Sequence, residues 1–180
     1  TISYSLSNNA GGKFAINSST GVVTVASALD FETATSHSIT VLATSSDGST
    51  NTGTYTIDVT NINEAPVITS GATASFAENA TGTVYTATAT DVDASTTLSY
   101  SLSGADAARF NINSSTGVVT FVTAPNFESP ADAGANNVYD INVIASDGTL
   151  TATKAVAITV TNVNEAPVIT SGATASFAEN

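Results

Sequence analysis

An all-β fold of tandem β-sandwich modules follows from three observations on this chain. Short segments alternate apolar and polar residues with a period of two, turn-forming residues separate them every eight to twelve positions, and a block of sequence recurs one module length later. The recurrence is the strongest of the three. Asn63–Asn79 reads NEAPVITSGATASFAEN and returns without a change at Asn164–Asn180, a step of about 101 residues, the size of one sandwich module. Inside the module, SYSLS at Ser3–Ser7 returns at Ser99–Ser103, and FAINSSTGVVT at Phe14–Thr24 returns as FNINSSTGVVT at Phe110–Thr120.

Each alternating segment puts one row of apolar side chains on one face of a pleated strand. In chain order these rows are Ile2/Tyr4/Leu6, Ile39/Val41/Ala43, Tyr55/Ile57/Val59, Leu98/Tyr100/Leu102, Ile141/Val143/Ala145 and Val156/Ile158/Val160. The abundant Thr and Ser suit exposed strand faces, where β-branched threonine packs well. Ser19–Gly21 and Ser115–Gly117 read as hairpin turns with glycine at a positive φ, and Asp47-Gly48 and Asp147-Gly148 punctuate the chain likewise. No stretch keeps the 3.6-residue apolar period for three turns; Ala105–Arg109 is long enough for a single helical turn before Phe110 enters a strand.

The repeat step divides the chain into residues 1–64, a partial module lacking its first strands; 65–165, a complete module; and 166–180, the first-strand stub of a following one. The linkers are Thr60–Pro66 (TNINEAP) and Thr161–Pro167 (TNVNEAP), each ending in a proline that biases its predecessor to extended geometry and stiffens the connection. A module of this size folds without staples, consistent with the absence of cysteine. The chain reads as an internal segment of something longer.

Fifteen acidic residues oppose three basic ones, Lys13, Arg109 and Lys154, for a net charge of −12. Such a chain repels phosphate backbones, so nucleic acid is not an expected partner. No apolar run reaches the ~18 residues that would insert in a membrane, and no leader-like segment is present. Enzyme chemistry is not expected either. The one histidine, His37, stands in a Ser/Thr strand and reads as a surface residue without an evident partner. Thiol chemistry and sulfur metal sites are excluded by composition. Gly11-Gly12 reads as an ordinary loop rather than a phosphate cradle. Asp91–Ser95 is no EF-hand, since Thr96 and Leu102 stand where that loop needs glycine and glutamate, and the Gly-rich calcium β-roll repeat is absent. Sequons at Asn17, Asn79 and Asn113 are also turn material.

The chain resembles the cadherin repeat, in the bacterial cadherin-like form found in large surface adhesins or extracellular fibre proteins. The motifs that carry the resemblance come in order: Glu78-Asn79 and Glu179-Asn180, Asp91-Val92-Asp93, the Phe-x-Ile-Asn-x-x-Thr-Gly hairpins at Phe14–Gly21 and Phe110–Gly117, Leu29-Asp30-Phe31-Glu32, the Asp-Gly turns, and the Asn-x-Asn-x-x-Pro linkers. The resemblance implies a seven-stranded Greek-key sandwich, cadherin- or immunoglobulin-like, with Ca2+ held between consecutive modules. At the first junction the implied ligands are Asp30, Glu32, Asn61, Asn63, Glu64, Asp91, Asp93 and Asp147. At the second they are Glu78, Glu128, Asn162, Asn164 and Glu165, with Asn126 where Asp30 has its counterpart. Calcium takes six to eight oxygens, more than one short strand supplies, which is a physical reason for ligands gathered from several places. The family linker usually carries Asp at the positions of Asn61 and Glu64 and Asn at Ala65, so these sites carry a departure from the pattern and weaker binding.

The expected function is therefore a calcium-rigidified spacer of a cell-surface or secreted repeat protein, serving adhesion or fibre assembly. Its partners would be neighbouring repeats of the same chain, with homotypic assembly a further possibility. The alternative is a multivalent carbohydrate- or ice-binding sandwich. A sugar site would want exposed aromatics, whereas most Phe and Tyr stand at core-parity positions; an ice face would want a flat threonine array, of which Thr86/Thr88/Thr90 is one row.

Overall fold

The computed structural model describes residues 1–94 and 96–179. Ser95 lies outside the described residues, as does Asn180, which ends the second Glu-Asn pair and the 166–180 stub. The chain forms two compact units: Thr1–Glu64 with Val92–Thr96, and Ala65–Asp91 with Thr97–Asn180.

In the first unit β1 (Ile2–Asn8), β4 (Ser36–Ser45) and β5 (Thr50–Asp58) form an antiparallel sheet in the order β1-β4-β5, and β2 (Phe14–Ile16) pairs with β3 (Val23–Val25). The β2–β3 turn is built by Asn17. Its Oδ1 accepts from the backbone N–H of Ser19 and Thr20, both at 2.9 Å, and Gly21 at φ 75° closes the loop by donating to the Asn17 carbonyl at 2.8 Å. Among the described residues of this unit, Phe14 and Ile39 are the buried apolar ones. His37 is half-buried, its ring edge-on to Phe14 with centroids 5.9 Å apart, so the histidine read from sequence as an unpartnered surface residue has an aromatic neighbour.

The second unit is complete as a sandwich. One sheet runs β10 (Ser99–Ser103), β13 (Val138–Ser146), β14 (Thr151–Thr161), β7 (Thr73–Ala77); the other runs β11 (Phe110–Ile112), β12 (Val118–Phe121), β8 (Thr83–Thr86). A third, two-stranded ladder joins β6 (Val67–Ile68) to β9 (Ala89–Thr90). These nine segments fill seven strand positions, because the first strand changes sheets between β6 and β7 around Ser70-Gly71 and the second is interrupted between β8 and β9. The change of sheets lets β7 run parallel to β14, Ala157 opposite Thr73 through Thr161 opposite Ala77, while every other ladder is antiparallel. The helical turn expected at Ala105–Arg109 is a 3₁₀ turn at Ala107–Arg109.

The alternating rows become the core of this unit. Ile141, Val143 and Ala145 on β13 and Val156, Ile158 and Val160 on β14 are each no more than 2 % exposed. Burying each of the valines and isoleucines contributes about 1.5–3 kcal/mol, the Ala145 methyl less. Phe110, Phe121 and Tyr139 pack as an aromatic cluster, with Tyr139 edge-on to both phenylalanines at 5.8 and 5.1 Å.

Two buried acids hold the loop that precedes β13. Asp106, 3 % exposed, accepts from the backbone N–H of Ala133 and Asp140, both at 2.7 Å, and Asp132, 6 % exposed, accepts from Asn136 and Asn137, both at 3.0 Å. The loop from Phe127 to Tyr139 is six residues longer than its counterpart from Phe31 to His37, and Ala10 stands where Asp106 has its counterpart. The longer loop and the carboxylate that anchors it occur together in one copy and are absent together from the other.

Candidate functional site

In the second unit, β7 ends at Ala77 and delivers Glu78 into a buried position, 2 % exposed. Its Oε2 accepts from the N–H of Phe127 at 2.7 Å and its Oε1 from the N–H of Val163 at 2.8 Å. These two donors hold the Glu78 carboxyl below its ordinary value, the Phe127 bond contributing most. They also fix the flanking chain: Phe127 precedes Glu128, and Val163 stands two residues before Glu165. Carboxylate oxygens of Glu78, Glu128 and Glu165 accordingly lie within 4.8 Å of one another. Two amides face this triad, Asn162 Nδ2 donating to Glu128 Oε1 and Asn79 Nδ2 donating to Glu165 Oε1, each at 2.7 Å.

The first unit has a related triad. Glu32 and Glu64 stand at the repeat positions of Glu128 and Glu165, and the third corner is Asp93, again with carboxylate oxygens within 4.8 Å. Asn61 Nδ2 donates to Asp93 Oδ1 at 2.8 Å and the Glu64 N–H donates to Asp93 Oδ2 at 3.0 Å. Crowding raises the Glu64 carboxyl above its ordinary value, through desolvation first and then through the negative charges of Glu32, Asp93 and Asp30.

The other sequence-derived candidates sit around these triads or outside them. Asp30 closes a local turn, its Oδ1 accepting from Thr33 N–H at 3.0 Å and its Oδ2 from Thr33 Oγ1 at 2.9 Å, which lowers its carboxyl. Asn126 at the matching position keeps the turn by accepting from Ser129 N–H at 2.9 Å. Asn63 Nδ2 donates to the Glu64 carbonyl at 3.2 Å. Asp147 caps the β13–β14 turn, accepting from Thr149 and Leu150 N–H, both at 2.6 Å. Asp91 is half-buried in the second unit and Asn164 is exposed; neither belongs to a carboxylate triad. Asn79 was legible as half of a Glu-Asn pair, but its amide contact to Glu165 was not, because nothing in the sequence signals its φ of 59°.

Three carboxylates within 4.8 Å, all exposed or half-exposed except the buried Glu78, form a hard, all-oxygen donor set that suits a divalent cation and no softer metal. The residues fit calcium on a further ground. Each triad faces asparagine amides whose Oδ1 and Nδ2 exchange places with little change of shape, so the same side chains can present an oxygen to an ion.

Comparison with known proteins adds relatives. A family profile, the cadherin domain, matches residues 1–60 and 72–161. Mouse protocadherin Fat 4 is 38 % identical over 137 residues, covering 71 % of this chain and 3 % of that protein. The wing polarity protein stan of Drosophila melanogaster is 34 % identical over 174 residues, 87 % of this chain and 5 % of that one. The chain thus spans a small part of the length of these curated relatives. Among solved structures, mouse cadherin-23 EC22-24 aligns with a TM-score of 0.64 at 29 % identity, over 90 % of this chain and 53 % of that chain. Human protocadherin-24 EC1-2 aligns with a TM-score of 0.69 at 20 % identity, over 92 % and 83 %, a likeness of fold. Among the described residues no helix is long and apolar enough to cross a membrane.

Proposed function

The chain belongs to the cadherin domain family, a family of extracellular adhesion modules, and from that premise we propose that it is a calcium-rigidified spacer within a cell-surface or secreted repeat protein. The observation that carries the reading is the pair of carboxylate triads, each with one corner, Glu64 or Glu165, among the last residues of a module. They share two corners and differ in the third. Glu78 arrives from the first strand of its own module, whereas Asp93 arrives from the loop between β9 and β10. A junction possessing both would gather four carboxylates, and each triad is one part of that set.

Glu32, Glu64 and Asp93 would hold the ion of the first site, with Asn61 and Asn63 as amide ligands and Asp30, Asp91 and Asp147 as further carboxylates. Glu78, Glu128, Glu165, Asn162 and Asn164 would hold the second. Glu64 closes one repeat in the sequence and Asp93 belongs to the next, so an ion held by both would stiffen the connection rather than one module alone. Without a cation the like charges oppose each other; with one they converge on it. Amide substitutions in the linker reduce ligand charge and support a dissociation constant in the weak range of extracellular modules, about 10⁻⁴–10⁻³ M. The identity of the 17-residue blocks supports a long, repetitive array of the bacterial adhesin kind.

Calorimetric titration with calcium tests this reading on the intact chain, alongside Glu32→Gln/Asp93→Asn and Glu128→Gln/Glu165→Gln. Saturable heat is expected in the intact chain, with each double variant losing one class of sites. Heat of dilution alone, up to ~10 mM calcium, would show that the triads only solubilise the surface.

A further inference from the structure

We propose that the second unit carries a binding cavity for a small hydroxylated carboxylate, of the chemical class of the sugar acids, with Arg109 as the group that recognises the carboxylate. A cavity of 370 Å³ lies between Arg109, the segment from Phe121 to Asn126, and Ser129 and Ala131 on the long loop before β13. Its volume falls within the ~300–1,000 Å³ of small-ligand sites and suits one monosaccharide-sized body.

Charge sets this cavity apart from the rest of the chain. Fifteen acidic residues oppose three basic ones, yet no Asp or Glu lines the cavity and Arg109 does. Among the described residues the Arg109 guanidinium makes no hydrogen bond and no ion pair. The first copy treats the same position differently. Lys13 stands at the repeat position of Arg109 and Ala28 at that of Ala124, and there the Lys13 Nζ donates to the Ala28 carbonyl at 2.7 Å. In the second unit these two positions line the cavity, and the guanidinium keeps its N–H donors for an occupant.

The remaining polar groups also offer donors. Asn126 Oδ1 is taken up by the Ser129 N–H at 2.9 Å, which leaves its NH₂ to donate. Tyr139, 2 % exposed, accepts from the Ala131 N–H at 3.3 Å through its hydroxyl oxygen, and its own proton meets no acceptor among the described residues. Thr123 and Ser129 add hydroxyls that can match those of a ligand, and Phe121 and Val122 supply an apolar side for its C–H groups. A guanidinium takes a carboxylate through two parallel N–H bonds, which fixes the ligand's orientation. The wall of the cavity stands before any ligand arrives. It belongs to the loop that is six residues longer than its counterpart, and Asp106 and Asp132 fasten that loop through backbone N–H groups. Such preorganisation lowers the cost of binding.

NMR titration of the intact chain with sodium glucuronate, in calcium-free buffer without a carboxylate chelator, tests the inference. Saturable shifts are expected at the amides of Ser129 and Ala131 and at Arg109 Nε. Arg109 is exposed, so Arg109→Gln should keep the fold and weaken binding about ten- to a hundredfold. Lys13→Gln removes the same charge from the first unit and should leave binding unchanged. Glucose, which lacks the carboxylate, and acetate, which lacks the hydroxyls, should each bind at least about tenfold more weakly. The inference is overturned by shifts that rise linearly without saturating, by glucose or acetate binding as tightly as glucuronate, or by a folded Arg109→Gln variant that binds like the intact chain. Because no calcium is present, failure here is separable from failure of the calcium reading.

Discussion

Replacing Asp106 with alanine should be among the most damaging single changes in the second unit. Its carboxylate is 3 % exposed and is the acceptor for two backbone N–H groups, those of Ala133 and Asp140, each at 2.7 Å. Truncation leaves both donors without that acceptor, and each unmet donor costs about 1–3 kcal/mol; since the site is partly buried, a total of about 2–4 kcal/mol is expected. That is a large fraction of the ~5–15 kcal/mol that holds a typical domain. For a module of this size it corresponds to a melting point lower by at least about 8 °C. Asp106→Asn keeps one acceptor and turns an NH₂ toward the other donor, so its loss should fall between wild type and alanine. Urea denaturation gives the free energy, and amide hydrogen exchange identifies its origin, because Ala133 and Asp140 should lose protection before the β13–β14 ladder does. The reciprocal change, Ala10→Asp in the first unit, should be neutral to within about 0.5 kcal/mol, since no long loop exists there to be held. A loss below ~0.5 kcal/mol in Asp106→Ala, or unchanged exchange at the two amides, would refute the assignment of this carboxylate as the loop's anchor.

Other expectations follow the same geometry. Gly117 and Gly21 occupy matching turns, yet a Cβ on Gly117 would stand 2.2 Å from the Ala87 carbonyl oxygen whereas on Gly21 the nearest atoms are the Tyr4 ring at 3.3 Å. Gly21→Ala should therefore cost about the 1–2 kcal/mol of a left-handed alanine, and Gly117→Ala clearly more, as measured by denaturation of each variant. The two glutamates should titrate in opposite senses. Glu64, raised by crowding, loses its unfavourable charge as pH falls through its folded value toward the ordinary one, which stabilises the first unit. Glu78, lowered by two N–H donors, contributes stability above the ordinary value and loses it as pH falls through its folded value. Carboxyl-carbon NMR titration in chelator should place Glu64 above Glu78; the reverse order would contradict both assignments. Adding calcium should abolish the upward displacement of Glu64, because the ion replaces repulsion with attraction.

The legible part of this chain was what depends on local pattern. Val156/Ile158/Val160 announced a strand because alternate residues share a face, and Ser115-Thr116-Gly117 announced its turn because only glycine takes φ 70° without strain. Alternation does not name a partner. The parallel pairing of β7 with β14, and the change of sheets that makes it possible, depend on which edges meet and leave no mark in Thr73–Ala77 itself. Core parity likewise predicts burial only when something covers the face, and Tyr55 at core parity is 56 % exposed. The carboxylates of the triads were legible through the family motifs, whereas Asp106 and Asp132 carry no motif. Comparing the two copies, with Ala10 opposite Asp106 and a short loop opposite a long one, is the signal that could have exposed them.

The central claim is that calcium stiffens this chain through the carboxylates of its linkers. Small-angle scattering and thermal melting of the chain, titrated with calcium against chelator and repeated with Asp93→Ala, test it most directly. A raised melting point, corresponding to about 2.7 kcal/mol per site at a hundredfold excess over the dissociation constant, and a narrower distribution of end-to-end distances are expected in calcium, the narrowing lost and the rise in melting point reduced in Asp93→Ala, which leaves the second triad intact. Identical scattering and melting in chelator and in ~10 mM calcium would contradict the claim.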